Sequence, residues 1–345
     1  MTTSSIMKKI NSKKPLVMSK PSFEGKQAFL KNVLNTANRY QLWEKNHCFV
    51  LGVSGGADSM VLLDVFFHLS SKYTFTLHVA HINYHLRGKD SDLDEKLVKS
   101  FCSERNIPLH TLQARPLKKD ENTLRNIRFR FLRKILAQTH SDAIVLAHHQ
   151  DDQAETLLLH LFRGGGKRGL SGMRVKDNNV IRPFLFLSKE DILMYAQNGN
   201  IPFRIDQSNK HSKFTRNTIR NIYLPLIRNT YPTISKLLAQ TSLITSEEDA
   251  FLEEITKQCI YEKTSTTINF SFAQWKSLHK AIQRRFLRLC IFSLPHSSKN
   301  EISFSLIEEL SNALEHPKSK KQKITFAGLI FERSDDTIRL FVKEN

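Results

Sequence analysis

The chain has 345 residues, of which 52 are lysine or arginine and 33 are aspartate or glutamate, so its formal net charge at pH 7 is +19. Hydrophobic residues make up 40% and charged residues 25%, which excludes a mainly disordered, collagen-like or membrane-embedded protein. No apolar stretch approaches the roughly 18 residues of a transmembrane helix, so no membrane partner is expected. The cysteines are too few and too scattered for a disulfide scaffold or a zinc ribbon: Cys48, Cys102, Cys259 and Cys290. Reduced cysteines predict a cytoplasmic protein, with an organelle stroma as the alternative.

The positive charge is concentrated in segments of the chain. Residues 115–136 contain eight basic and two acidic residues, and residues 209–228 contain five basic residues and no acidic one. Such patches attract polyanions, of which nucleic acid is the obvious candidate. A lysine-rich composition of the genome is the alternative explanation.

The predicted elements begin after a Ser/Lys-rich segment, 1–22, which is expected to be a disordered basic tail. Apolar strands then alternate with helices, and this alternation predicts a doubly wound α/β domain with a parallel sheet over 23–229. The predicted helices are 29–43, 60–69 and 123–138, and the predicted strands are 48–54, 76–82 and 143–148.

The pattern changes near Leu224-Pro225-Leu226. Beyond it the sequence predicts a smaller, mainly helical domain, 230–345, that ends in a β-hairpin with its turn at 334–336. The predicted helices are 233–262, 273–293 and 302–315, and the predicted strands are 322–331 and 337–343.

The loop between the first strand and the next helix reads Ser54-Gly55-Gly56-Ala57-Asp58-Ser59. Glycines let the backbone approach a phosphate, and a helix N-terminus adds positive potential. Asp58 suits such a loop if Mg²⁺ bridges the carboxylate to a nucleotide. All six residues are therefore predicted to bind ATP, with Asp58 as the magnesium ligand. The alternatives are an ordinary capped glycine turn and a hydrolase elbow, Gly52-Val53-Ser54-Gly55-Gly56, although too little sheet precedes the latter.

This loop resembles the SGGxDS signature of ATP pyrophosphatases, the PP-loop superfamily. Further segments follow in the order found in tRNA(Ile)-lysidine synthetases, over about 45–230. These segments are 80–88 (AHINYHLRG), 147–156 (AHHQDDQAET), 163–173 (RGGGKRGLSGM), 182–183 (RP), 206–209 (DQSN), 216–220 (RNTIR) and 224–225 (LP). The segment 123–129 (TLRNIRF) departs from the family's ARxxRY but keeps both arginines, and the C-terminal third resembles the family only loosely.

The resemblance implies an adenine nucleotide alpha-hydrolase-like fold and a ligase that forms a C–N bond. ATP would activate the wobble cytidine of a tRNA(Ile) with a CAU anticodon, and the side-chain amine of L-lysine would then displace AMP to give lysidine. It also implies catalytic roles for Asp58, His148 and Asp152, although His149 could simply cap a helix. Basic residues are predicted to contact tRNA: Arg125, Arg128, Arg163, Lys167, Arg168, Arg216 and Arg220. The last two could instead anchor the domain boundary.

Two other functions stay open at this point. A tRNA thiolation enzyme of the same fold typically needs paired cysteines, and this chain has no C-x-x-C motif. A non-catalytic RNA-binding protein would not need Ser54, Asp58 and Ser59 intact. The second domain carries basic residues that suggest docking to the tRNA body or, alternatively, a solvated surface: His279, Lys280, Arg284, Arg285, Arg288, Lys318, Lys320, Lys321 and Lys323.

Overall fold

The computed structural model describes residues 23–118, 120–204, 215–295, 303–316, 321–326 and 328–342. The predicted tail, 1–22, and the segment 206–209 lie outside the described residues. The chain divides into two compact units, Met1–Leu243 and Ile244–Asn345. This division lies C-terminal to the boundary that the sequence predicts at 229/230, and it falls inside a helix, Ile234–Lys257.

The described part of the first unit contains a six-stranded sheet in the order β3-β2-β1-β4-β6-β5. All neighbouring strands are parallel except β5 and β6, which pair antiparallel. The predicted α/β class is thereby confirmed. The strands are β1 (Cys48–Gly52), β2 (Thr76–Asn83), β3 (Leu109–Gln113), β4 (Ala143–Val145), β5 (Lys176–Asp177) and β6 (Val180–Ile181).

Helices connect these strands. The pattern predicted α1, α2 and α4 but not α3 or α7, because α3 is largely charged and α7 is short. The helices are α1 (Phe23–Arg39), α2 (Ala57–Tyr73), α3 (Lys89–Glu104), α4 (Glu121–Gln138), α5 (Gln150–Phe162), α6 (Lys167–Leu170), α7 (Lys189–Asn198), α8 (Thr215–Thr218), a π-helix (Ile219–Tyr223) and α9 (Leu224–Thr230).

The central strand β1 is buried on both faces. Phe49 and Leu51 pack into one core with α1, α2 and α7, whereas Val50 packs into a second core with Phe131 and Leu132 of α4. Alternating side chains of a strand point to opposite faces, so a continuous apolar run suits a strand that is covered on both sides. This burial fixes the end of β1, where the glycine loop begins.

The second unit contains an antiparallel sheet, whose described strands run β7-β8-β11-β10-β9. Two predictions are wrong here. The run 322–331 forms two paired strands rather than one, and 273–293 is broken by His279, which caps the second of two helices. The predicted hairpin turn is present, because Ser334 pairs with Thr337. The elements are α10 (Ile234–Lys257), β7 (Glu262–Lys263), β8 (Thr267–Ser271), α11 (Phe272–Ser277), α12 (Lys280–Ser293), α13 (Phe304–Glu315), β9 (Lys321–Phe326), β10 (Leu329–Ser334) and β11 (Thr337–Val342).

A core around Trp275, Phe286 and Phe331 joins the helices of this unit to its sheet. Across the described ranges of both units, every helix is too short or too polar to cross a membrane.

Candidate active site

The glycine loop runs from the end of β1 to the first turn of α2. Gly55 has φ +90°, a backbone conformation that favours glycine. Gly56 precedes α2 and provides no side-chain cap, so the amides of the first turn are left for another acceptor. The hydroxyl of Ser59 accepts from the Ser54 amide at 3.1 Å and donates to the Gly56 carbonyl at 3.0 Å. These two hydrogen bonds fix the shape of the loop, and the first-turn amides of α2 have no side-chain cap.

Two arginines bind a carboxylate, Asp94, that packs against the loop. The buried carboxylate of Asp94 accepts from Arg87 at 2.5 Å and from Arg204 at 2.9 Å. The backbone amide of Arg204 also donates to the Gly55 carbonyl at 3.1 Å. A Cβ on Gly55 would lie 3.2 Å from the Cβ of Asp94, so the loop packs closely on this ion cluster. The sequence motifs indicate neither Asp94 nor Arg204, and they include Arg87 only within the segment 80–88.

A cavity of about 600 Å³ opens above the loop. The structure brings together there most of the predicted site residues, which come from the loop, α4, the β4–α5 connection, α5, α8 and the π-helix. The cavity is lined by Ser54, Gly56, Asp58, Ser59, Arg125, Arg128, His148, Asp152, Arg216 and Arg220, among others. Gly55 and Ala57 shape the loop itself, whereas Arg163 is exposed beyond α5. The side chains of Lys167 and Arg168 lie outside the described part of the structure.

Asp58 faces the cavity and has a lysine partner that sequence analysis missed. The Nζ of Lys189, the first residue of α7, donates to Asp58 Oδ1 at 2.5 Å. The Nε2 of His149 lies 3.7 Å from the other oxygen. Lys189 is 131 positions away in the chain, and no local pattern indicates the contact. The pair places one cation and one carboxylate beside the glycine loop.

The residues around Asp58 fit a magnesium ion that is shared with a nucleotide. The Asp58 side chain is 30% exposed and lines the cavity, so its carboxylate can be reached by an ion and a nucleotide there. Mg²⁺ commonly uses one or two carboxylates and completes its shell with phosphates and water. An ion bound here would neutralise phosphate charge when the nucleotide is present.

The two histidines at the start of α5 play different parts. His149 is the N-cap: its side chain accepts from the Asp151 amide while the Asp152 carboxylate accepts from the His149 amide. The helix-cap alternative for His149 is thereby confirmed. His148 accepts from Arg182 Nε at 3.2 Å through Nδ1, and burial holds the pKa of His148 well below its usual value. A neutral His148 with an acceptor Nδ1 carries its proton on Nε2, so it can donate a hydrogen bond.

An ion network closes one wall of the cavity. The carboxylate of Glu155, buried to 1% exposure, accepts from Arg216 Nε at 3.0 Å and from Arg220 Nε at 2.5 Å. Arg220 also donates to Asp152 at 2.8 Å, and Arg216 donates to Glu121 at 3.3 Å. Both arginines were predicted to contact tRNA, yet each is already paired with protein carboxylates. They hold α8 and the π-helix against α5.

Arg125 and Arg128 differ from the arginines of this network. Burial lowers the pKa of both guanidinium groups, and Nε of Arg128 is buried without a hydrogen-bond partner among the described residues. Nearby, the Tyr84 hydroxyl donates to the Leu124 carbonyl at 3.1 Å, and burial raises the pKa of this phenol. The α4 wall of the cavity thus presents positive charge with donor capacity left for an anionic ligand.

The network makes stability depend on pH through Asp152. Burial alone would raise the pKa of Asp152, but His149, Arg220 and the hydrogen bond from the His149 amide lower it to about 2, against 3.8 ordinarily. Because the folded-state pKa is the lower one, the ionised carboxylate stabilises the fold above pH 4 and this contribution is lost as the pH falls towards 2. Asp152→Asn should therefore lower the free energy of unfolding by about 2 kcal/mol at pH 7 and by about half of that near pH 3.

Urea unfolding of both proteins across this pH range measures the difference. An equal loss at pH 7 and pH 3 would mean that the asparagine acts through packing rather than charge.

Comparison with known proteins agrees with this geometry. A family model for the PP-loop domain matches residues 26–227. A tRNA(Ile)-lysidine synthase of Caldanaerobacter subterraneus subsp. tengcongensis is 32% identical over 309 residues, which cover 86% of this chain and 66% of the relative. A tRNA(Ile)-lysidine synthase of Bacillus subtilis is 29% identical over 326 residues, which cover 88% of this chain and 69% of the relative. The resemblance that the motifs indicated is thus confirmed, and the chain spans about two thirds of the length of these relatives.

A solved structure shares the fold. The U34-tRNA thiolase NcsA of Methanococcus maripaludis, with its [4Fe-4S] cluster, superposes with a TM-score of 0.53 at 15% identity, covering 64% of this chain and 80% of that one. At this identity the likeness concerns the architecture of the chain.

Proposed function

The chain belongs to the PP-loop family, and from that premise we propose that it is a ligase that converts a cytidine of tRNA to lysidine. ATP activates the wobble cytidine of a tRNA(Ile) with a CAU anticodon, and L-lysine then displaces AMP. The observation that carries this proposal is one cavity in which the glycine loop, the Asp58–Lys189 pair and the arginines of α4 meet. Two relatives that are 32% and 29% identical to this chain bear the same activity in their names.

The loop supports the first step. The amides at the start of α2 and the hydroxyl of Ser54 can donate to the pyrophosphate that leaves when the cytidine oxygen attacks the α-phosphorus, while Ser59 keeps the loop in shape. Mg²⁺ held by Asp58 would neutralise part of that charge. The Nζ of Lys189 donates to Asp58 beside the loop, so this ammonium group could also donate to a phosphate oxygen of the nucleotide.

The second step needs a proton acceptor for the lysine amine, because an ammonium group with an ordinary pKa of about 10.4 is not a nucleophile. Asp58, Glu121 and Asp152 are the carboxylates that line the cavity among the described residues. The pKa of Asp152 is about 2 and its oxygens are engaged by Arg220 and His149, which makes it a weak base. Asp58 accepts from Lys189 and would hold Mg²⁺, so Glu121 is the better acceptor, and neutral His148 can donate to the base or phosphate.

The thiolation alternative is disfavoured by the position of the cysteines. Among the residues described as lining the cavity, none is a cysteine. Cys102 and Cys290 are buried in separate cores, and burial raises the pKa of Cys102 to about 11. A protonated thiol in a core is a poor nucleophile for sulfur transfer.

Product analysis tests the proposal. With ATP, L-lysine and a CAU-anticodon tRNA, the full chain should release AMP and pyrophosphate and incorporate labelled lysine in equal amounts. ADP as the main product, or incorporation of sulfur in place of lysine, would contradict it. Binding of tRNA without any nucleotide cleavage would instead favour the non-catalytic alternative.

Arg128 provides a prediction about phosphate contact. If its guanidinium group meets a tRNA phosphate, the logarithm of affinity should fall with the logarithm of salt concentration, and Arg128→Gln should reduce that slope by about 0.7–0.9. Affinity measured at several salt concentrations gives both slopes. An unchanged slope would place Arg128 in a purely internal electrostatic role.

We also propose that the second unit helps to bind the tRNA body, although several of its basic residues are neutralised. Arg284 pairs with Glu308, Arg285 with Asp249, and Lys280 with Glu315. These pairs leave less free positive charge on α12 than the sequence suggests. Lys318 and Lys320 lie outside the described residues.

Deletion of this unit should leave ATP binding unchanged and reduce tRNA affinity. Both can be measured on the same folded fragment.

A further inference from the structure

Two exposed aromatic side chains meet where α5 and the π-helix end. The rings of Phe162 and Tyr223 are perpendicular, with centroids 5.9 Å apart and an interplanar angle of 84°. Phe162 is 58% exposed and Tyr223 is 44% exposed. We call these two residues the aromatic platform. Beneath it, Leu158 of α5 and Ile219 of the π-helix are buried in one small core, so the platform stands on a packed base.

The platform lies further along α5 from the ion network that borders the cavity. Phe162 lies seven positions after Glu155 on α5, which is about two helical turns and about 10 Å along the same face. Tyr223 lies three positions after Arg220, and Arg220 is the residue that pairs with Glu155 at the cavity. A ligand that fills the cavity and extends towards the C-terminal end of α5 would therefore reach the platform.

The charge around the platform is positive. Arg163 follows Phe162 directly and is exposed, and the chain as a whole carries a net charge of +19. An exposed aromatic pair beside an arginine suits an unpaired nucleotide, because a base stacks on an aromatic face while its phosphate meets the cation.

We propose that Phe162 and Tyr223 stack an unpaired base of the RNA loop, next to the nucleotide whose base enters the cavity. This proposal rests on the proposed function, since it takes a single-stranded anticodon loop as the substrate. The platform supplies binding energy outside the reacting atoms and helps to keep the target base unstacked from its neighbour.

The first experiment measures binding of a CAU anticodon stem-loop RNA to the full chain by fluorescence anisotropy. Phe162→Ala and Tyr223→Ala should each weaken binding about tenfold, within the range for loss of one base–aromatic stack. Phe162→Trp should retain affinity, and Phe162→Leu, which keeps an apolar side chain without a π-face, should lose it. Phe251→Ala is the matched control, because Phe251 is also an exposed aromatic, at 62%, and lies on α10.

The second experiment removes the base instead of the ring. Replacing the loop nucleotide beside the wobble cytidine by an abasic one should weaken binding to the wild-type chain about tenfold and should add little to the loss in Phe162→Ala. The platform would be overturned if the abasic substitution, on either side of the cytidine, caused as large a further loss of affinity in Phe162→Ala as in the wild-type chain. A change in oligomeric state of Phe162→Ala without loss of RNA affinity would also overturn it, since that would identify a second copy of the chain as the occupant.

The two proposals fail in distinguishable ways. If the wild-type chain incorporates lysine and Phe162→Ala binds the stem-loop normally, the platform is wrong and the ligase stands. If the wild-type chain binds the stem-loop through the platform but releases no AMP, the ligase is wrong and an RNA-binding surface stands.

Discussion

Asp58→Asn is expected to lower the rate of AMP release at least a hundredfold and to leave the fold intact. Asparagine keeps the size of the side chain but removes the charge that pairs with Lys189 and would hold Mg²⁺ against the phosphates. The carboxylate is partly exposed in the cavity rather than packed in a core, so stability should change little. The measurement is the initial rate of pyrophosphate release with ATP, lysine and tRNA at saturating magnesium.

Lys189→Met gives the matching half of this experiment. If Lys189 acts on phosphate, the substitution should raise the KM for ATP and lower kcat. The double variant Asp58→Asn/Lys189→Met should lose less transition-state stabilisation than the sum of the two single losses. Glu253→Gln, which removes a surface carboxylate of α10, serves as the control and should keep the wild-type rate. A wild-type rate in Asp58→Asn would reduce Asp58 to a first-turn carboxylate that stabilises α2 through the helix dipole.

Glu155→Gln is expected to lower the free energy of unfolding by about 3 kcal/mol at pH 7. Glu155 is buried, and its two oxygens accept from both Arg216 and Arg220. Removing one partner from a buried ion network leaves the remaining charges without compensation, which costs far more than the loss of an exposed pair. Urea unfolding monitored by circular dichroism measures the change, provided that the transition is two-state.

The same Glu253→Gln variant is the control for stability. Glu253 and Lys257 form an exposed pair one helical turn apart at 3.7 Å, and its loss should cost less than about 0.5 kcal/mol. A loss in Glu155→Gln as small as that in the control would mean that Arg216 and Arg220 find water or other acceptors. That result would favour the prediction that Arg216 and Arg220 bind tRNA phosphates.

The glycine loop could be predicted from sequence because its determinants are local. A buried run, Cys48–Gly52, two glycines and a helix with apolar residues at successive positions lie within about 20 residues. Strand burial and helix propensity act over that range, and the loop chemistry follows from the residues between them. The motif order extended this reasoning to His148 and Asp152, which the structure places in the same cavity.

In the second unit the sequence was less informative. The turn between β10 and β11 was predicted from Ser334, Asp335 and Asp336, which favour turns. The break in the run 322–331 was missed because both halves read as strand, and pairing with a neighbouring strand decides where each half ends.

By itself the sequence determined the parallel α/β class, through periodicity, and the glycine loop and the resemblance to the family, through motifs of residues close in the chain. Only the tertiary structure decided which charges are free. Lys189 meets Asp58 across 131 positions, and Arg204 meets Asp94 across 110. Arg216 and Arg220 carry the same charge in the sequence as Arg128, yet folding brings carboxylates to the first two. Coulomb interactions depend on distance in space and on burial, so a basic residue becomes a binding group or a structural one only after the chain has packed.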